Sequence, residues 1–175
     1  GITGDNNYGT LTISNNTLKG NERGIAIASY SNCCGGVSTA TISNNTITDN
    51  TITGDGAGIY ITDAAEVATI SNNTITNNGG RVDSKDPVYG GVGFLAASGK
   101  APEGDLGGGS IEIDGKTLSS TGGNSICNNT HSNSSALDLH VKGPISITAY
   151  NNNTAGVCSG QGLNLLLEDG GEVLQ

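Results

Sequence analysis

Methionine and tryptophan are absent from this 175-residue chain, which holds one phenylalanine, five tyrosines and three prolines. Without aromatic or flexible fillers, a core must be built from Ile, Leu, Val and Ala, which suits thin regular layers better than an irregular globule. Basic residues are scarce too. Seven Lys and Arg against sixteen Asp and Glu leave a formal charge of -9, with no basic cluster; phosphate binding rests on such a cluster, so no nucleic-acid partner is expected. No run approaches the ~18 apolar residues of a membrane-spanning helix, so no membrane span is expected. The chain opens Gly1-Ile2-Thr3, without Met or a charged-then-apolar leader, which reads as a removed targeting segment or an excised piece. There is no CxxC pair and no zinc-type Cys/His spacing. Cys33, Cys34, Cys127 and Cys158 allow two disulfides in an oxidising compartment, in any of three pairings. A ring between adjacent Cys33 and Cys34 is strained, which favours separate partners for them.

What the chain has in excess is glycine, 29 residues, and asparagine in a fixed setting. Residues 42–50 read I-S-N-N-T-I-T-D-N and residues 70–78 read I-S-N-N-T-I-T-N-N. Written as apolar-x-x-Asn-x-apolar-x-x-Asn, the template also covers Ile13, Asn16, Leu18 and Asn21. A degraded copy runs Ile126, Asn129, His131, Ser134, and a last one begins at Tyr150 with Asn153. The lead residues stand at 13, 42, 70, 126 and 150; the interval from 70 to 126 is twice that from 42 to 70, which predicts a missing copy near residue 98. A repeat architecture needs such duplication and a single catalytic centre does not.

The texture inside each unit selects strands. Thr, Ile, Val, Asn and Gly alternate in short runs, without the 3.6 spacing of a helix. One run leads into the marker, as in Ala40-Thr41-Ile42, and another follows it: Gly24-Ile25-Ala26-Ile27, Gly58-Ile59-Tyr60-Ile61, Gly91-Val92-Gly93-Phe94, Leu137-Asp138-Leu139 and Gly162-Leu163-Asn164-Leu165. The predicted fold is all-β: a single solenoid domain over residues 1–175, about six coils of three short strands, with loop excursions about 79–90 and 97–110 and a terminal strand or cap within 166–175. Coils stacked about 4.8 Å apart place equivalent residues above one another. An Asn at the bend tolerates left-handed backbone while its amide bonds to those above and below. Asn16, Asn45, Asn73, Asn129 and Asn153 are the predicted ladder, with Ile13, Ile42, Ile70 and Ile126 stacked beside it.

The I-x-x-N-x-I-x-x-N unit followed by G-I-x-I resembles the right-handed parallel β-helix repeat of the pectate-lyase-like superfamily, over residues about 9 to 165. Within it the phrases G-A-G-I-Y and T-I-S-N-N-T-I look most like those of non-catalytic bacterial surface proteins of the adhesin type. Enzymes of the superfamily resemble one another in placing carboxylates beside an Arg or Lys, for calcium or for acid/base work. That resemblance would direct attention to Arg81, Asp83, Lys85 and Asp86 as a binding loop, with calcium as the one ion it implies. They fall in a loop, where the rigid placement that glycosidic cleavage demands is hard to achieve. A solvated excursion is the plainer reading, so no catalytic residue, metal ligand or cofactor is assigned. His140 and Lys142 share a strand face and read as exposed polar residues.

Two surface patterns remain. Thr10-x-Thr12 and Thr39-x-Thr41, then Val67-x-Thr69, resemble some ice-binding surfaces, although Thr is favoured on any exposed strand. N-x-S/T sequons stand at Asn15, Asn44, Asn72, Asn128, Asn133 and Asn152; glycosylation would line one edge with sugars, while bend chemistry alone accounts for N-N-T. Uncapped solenoid ends invite stacking. The expected function is an extracellular or cell-surface structural protein, a subunit or segment of a filament, stalk or adhesin whose partners are other copies of itself, and not an enzyme. The alternative is a module that binds or cleaves glycans.

Overall fold

The computed structural model describes residues 1–5, 9–28, 37–52, 58–62, 67–80, 90–95, 104–105, 108–113, 116–130, 136–142, 146–148 and 156–174. The first coil holds β1 (Ile2–Asp5), β2 (Gly9–Ser14) and β3 (Thr17–Lys19). The second holds β4 (Ile25–Ala28), β5 (Val37–Ser43), β6 (Thr46–Thr48) and β7 (Thr51–Ile52); the third, β8 (Ile59–Thr62), β9 (Val67–Ser71), β10 (Thr74–Thr76) and β11 (Gly79–Gly80). The fourth runs through β12 (Val92–Leu95), β13 (Gly104–Asp105), β14 (Gly108–Ile113), β15 (Lys116–Thr121) and β16 (Ser125–Cys127). The fifth has β17 (Leu139–Lys142), β18 (Ser146–Thr148) and a 3-10 turn, Gly156–Cys158; the sixth has β19 (Leu165–Glu168) and β20 (Glu172–Leu174).

Equivalent strands of successive coils pair in parallel. The first sheet is ordered β1-β4-β8-β12-β17-β19, the second β2-β5-β9-β13-β18-β20 and the third β3-β6-β10-β16, with β7 and β11 forming a minor pair. This is the six-coil parallel β-helix that the repeat predicts. Strand alternation sends every second residue inward, and the register stacks like on like. Ile13, Ile42 and Ile70 form one column, Leu18, Ile47, Ile75 and Ile126 another. On the first sheet Ile25, Ile59, Val92 and Leu139 stack beside Ile27, Ile61, Phe94 and Val141. Apart from the end residue Leu18 these side chains are buried, each contributing about 1.5–3 kcal/mol of apolar transfer. The Gly opening each G-I-x-I run has a steric cause: a Cβ on Gly24 would strike the Gly58 carbonyl, on Gly58 that of Gly91, and on Gly91 that of Asp138.

Three expectations about register are corrected. No copy is missing near residue 98: β13 pairs with β9, Gly104 with Ala68 and Asp105 with Thr69, so part of the expected excursion 97–110 belongs to the second sheet. The long interval comes from an antiparallel hairpin, β14 with β15, inserted in that coil. Ile126 pairs with Ile75, not Ile70, and so belongs to the third-sheet column. The apolar runs of the last two coils begin at Leu139 and Leu165, which pair with Val92 and with each other, and not at Leu137 and Leu163. Period-2 alternation is unchanged by a slip of two residues, so pattern alone could not fix that register. Residues 172–174, expected as a terminal strand, are β20.

Candidate functional site

At each bend two adjacent residues divide the work. Between the second and third sheets Asn15, Asn44 and Asn72 adopt φ of 60°, 56° and 54°, and Gly123 a φ of 68°. After the third sheet Gly20, Asp49, Asn77 and Asn128 do the same, at 65°, 55°, 57° and 58°. The left-handed residue turns the chain, and the next residue, always Asn, points into the stack.

Those inward asparagines form two ladders with one repeated geometry. The Asn45 Oδ1 accepts from both the backbone N–H and the Nδ2 of Asn16, each at 3.0 Å. The Asn45 Nδ2 donates to the Ile13 carbonyl at 2.9 Å and to the Asn73 Oδ1 at 3.0 Å. Asn73 repeats this toward Asn124, at 2.9 and 3.1 Å. The second ladder runs Asn21, Asn50, Asn78, Asn129, with Nδ2 to Oδ1 distances of 3.2, 2.9 and 3.0 Å. The expected column is thus correct for Asn16, Asn45 and Asn73 and wrong for Asn129, which stands one bend further on; Asn124 takes its place. The segment Asn124-Ser125-Ile126-Cys127-Asn128-Asn129 matches Asn73-Thr74-Ile75-Thr76-Asn77-Asn78, a signal already present in the sequence. Asn153 lies outside the described residues.

The second ladder ends on a carboxylate that sequence reasoning passed over. Asp138 is fully buried. Its Oδ1 accepts from the N–H and Nδ2 of Asn129, at 3.4 and 3.1 Å, and its Oδ2 from the N–H and Nδ2 of Asn164, at 3.0 and 2.7 Å. Donors converge on it from both sides, and an ionised carboxylate, acceptor-only with two oxygens, matches that demand. An Asn there would face one neighbour with its own N–H groups.

Two residues further on, in β17, His140 is fully buried, and not exposed as expected. Its Nε2 lies 2.8 Å from the Glu168 Oε2 in the next coil. Lys142 Nζ stands 3.7 Å from the same oxygen and 3.8 Å from the Asp169 Oδ2. Burial pushes the Glu168 carboxyl up, but the hydrogen bond to His140 and then the charges of Lys142 and His140 outweigh it and hold the group below its ordinary value. The cluster pins the last coil to the one before it.

A disulfide joins Cys127 of β16 to Cys158 of the 3-10 turn, Cα to Cα 5.7 Å. It settles one of the three pairings and excludes distant intrachain partners for Cys33 and Cys34, which lie outside the described residues. So do Arg81, Asp83, Lys85 and Asp86, the loop a calcium site would need. Among the described residues no three His, Cys, Asp or Glu are grouped to hold a metal ion, and no helix is long and apolar enough to cross a membrane. The sequon residues Asn15, Asn44, Asn72 and Asn128 are exposed. They do not share one column, because Asn128 belongs to the second bend; Asn133 and Asn152 lie outside the described residues.

Residues 7–103 match the family model described as "Right handed beta helix region". Comparison with curated proteins and with solved structures gives no match.

Proposed function

This chain belongs to the right-handed β-helix family, and from that premise we propose that it is an extracellular structural protein, a subunit or segment of a surface filament, stalk or adhesin that stacks end to end and performs no catalysis. The observation that carries this reading is the sixth coil. Leu165 and Leu167 continue the columns of Leu139 and Val141, yet each is 45% exposed. Beside them, among the described residues, β19 pairs with β17 and β20 with β18, each along one edge. An open edge flanked by apolar side chains is a template for another strand. The Cys127–Cys158 bridge supports an oxidising, extracellular compartment. The ladders support a structural role, because the buried polar residues they use bond to one another and offer little to a substrate.

Sedimentation and negative-stain electron microscopy across a concentration series test the proposal. Rods that lengthen with concentration are expected, and Leu167→Asp should shift them to short particles. Monodisperse short particles at high concentration would overturn it. Incubation with acidic and neutral glycans, with and without calcium, tests the absence of catalysis; the appearance of new reducing ends or unsaturated product would refute that part.

A further inference from the structure

The second sheet carries a surface that neither the core nor the ladders use. In β2, β5 and β9, Ile13, Ile42 and Ile70 face inward, so the residues between apolar positions face out. Strand pairing stacks Thr12 on Thr41 on Thr69, and beside them Ser14 on Ser43 on Ser71; Thr10 on Thr39 begins a further column. Thr10 and Thr12 are exposed and the others half-buried, and none of them carries charge.

The third sheet offers a contrast. There the Thr76 hydroxyl donates to that of Thr48 at 3.3 Å, so that column satisfies itself. Among the described residues no such bond joins hydroxyls of successive coils on the second sheet. The Ser14 Oγ accepts from the Asn15 Nδ2 at 3.4 Å; the other hydroxyls of these columns take water as partner. A water bonded to two hydroxyls about 4.8 Å apart, with each bond about 2.8 Å, subtends about 118°, near the tetrahedral angle. Second neighbours in a tetrahedral water lattice built from such bonds lie about 4.6 Å apart. The mismatch of about 0.2 Å per coil amounts to about 0.4 Å across three coils, within ordinary atomic displacement. Columns stand about 6.7 Å apart along the strands, so the anchored waters form a two-dimensional array and not a single file. A charged side chain would orient water around itself and break that array; Thr12, Thr41, Thr69, Ser14, Ser43 and Ser71 carry none, and Asp105, which follows Thr69 in the register, bounds the array at the fourth coil.

We propose that this face binds ice, with Thr12, Thr41, Thr69, Ser14, Ser43 and Ser71 anchoring a water layer continuous with the lattice. The two columns offer no aromatic ring on which a sugar could stack, which disfavours a crystalline polysaccharide as the occupant. The test is slow growth of ice from a dilute solution of the purified protein, with protein measured in the ice and liquid fractions. Enrichment in ice several-fold above an inert acidic protein is expected. Thr41→Lys, in the middle of the array, and Thr12→Lys, at an exposed position that tolerates the change, should both abolish it. Thr46→Lys, exposed on the third sheet, should leave it intact, with circular dichroism confirming that each variant is folded. Exclusion of the wild type from ice, uptake unchanged in folded Thr12→Lys, or retention on microcrystalline cellulose without uptake into ice would each overturn the proposal.

Discussion

Asn44 and Asn45 are identical side chains with different work, and that difference predicts how each responds to substitution. Asn45 is buried, and its amide serves Asn16, Ile13 and Asn73 together. Replacing it with Ala takes the side-chain partner from the Ile13 carbonyl and the Asn16 backbone N–H, each loss costing about 1–3 kcal/mol, while the Asn16 Nδ2 keeps the Ser14 carbonyl and the Asn73 Oδ1 keeps the N–H of residue 45; a net loss of about 3 kcal/mol is expected in urea unfolding. Asn44 is exposed, with a φ of 56°. There Ala should cost about 1–2 kcal/mol, the strain of left-handed backbone, while Gly should be nearly neutral. Equal losses for Asn45→Ala and Asn44→Ala would refute the division of labour. Sequence alone assigned bend and ladder to a single Asn, since in N-N-T both residues carry the same chemistry and only backbone dihedrals separate them.

The inserted hairpin shows why some elements were legible and others were not. Repeated units announce themselves because each must stack on a copy, so Ile42 and Ile70 or Asn45 and Asn73 were paired correctly from spacing. The strands β14 and β15 pair with each other and copy nothing. They contributed only length, and length was misread as a lost coil. Asp138 and Glu168 escaped notice for a related reason: each acts once, where the repeat stops. The register locates the graft. Asp105 stands over Thr69, and the Gly122 carbonyl accepts from the Asn72 N–H as the Ser71 carbonyl does from Asn44. One residue therefore separates Asp105 from Gly122 in an uninterrupted coil, at the level of Ile70. Replacing residues 106–121 by a single Ile should give a folded solenoid with the Asn73–Asn124 contact kept and the unfolding midpoint close to wild type. Hydrogen exchange of the β10 and β16 amides checks it, and loss of their protection would show the hairpin to be required for the fold.

Taken as one object, the molecule is a stack whose coils are held by neighbours on both sides, except at the ends. Among the described residues the sixth coil pairs with the fifth, and its inward leucines are only half covered, so polar contacts carry a larger share of its attachment. Besides Asp138 with Asn164 and Lys142 with Asp169, those contacts include Glu168, which meets His140 and Lys142 of the fifth coil. Its folded carboxyl lies below its ordinary value. A lowered carboxyl stabilises the folded state fully above the unfolded value, about 4.3, and that stabilisation is lost as pH falls through the folded value. Acid should therefore loosen β19 before the inner coils, since protonating Glu168 removes a charged partner from buried His140 and from Lys142 together. Exchange rates of the β19 amides, corrected for intrinsic rates, should rise relative to those of β8 as pH is lowered from about 6 to about 3. Glu168→Gln should raise β19 exchange already at the upper pH and flatten its response below. If β19 and β8 kept a constant ratio in the wild type, or if Glu168→Gln left the acid response unchanged, the His140–Glu168 contact would not be what fastens the last coil. Either result would also remove one route by which acidity could govern the end that is proposed to stack.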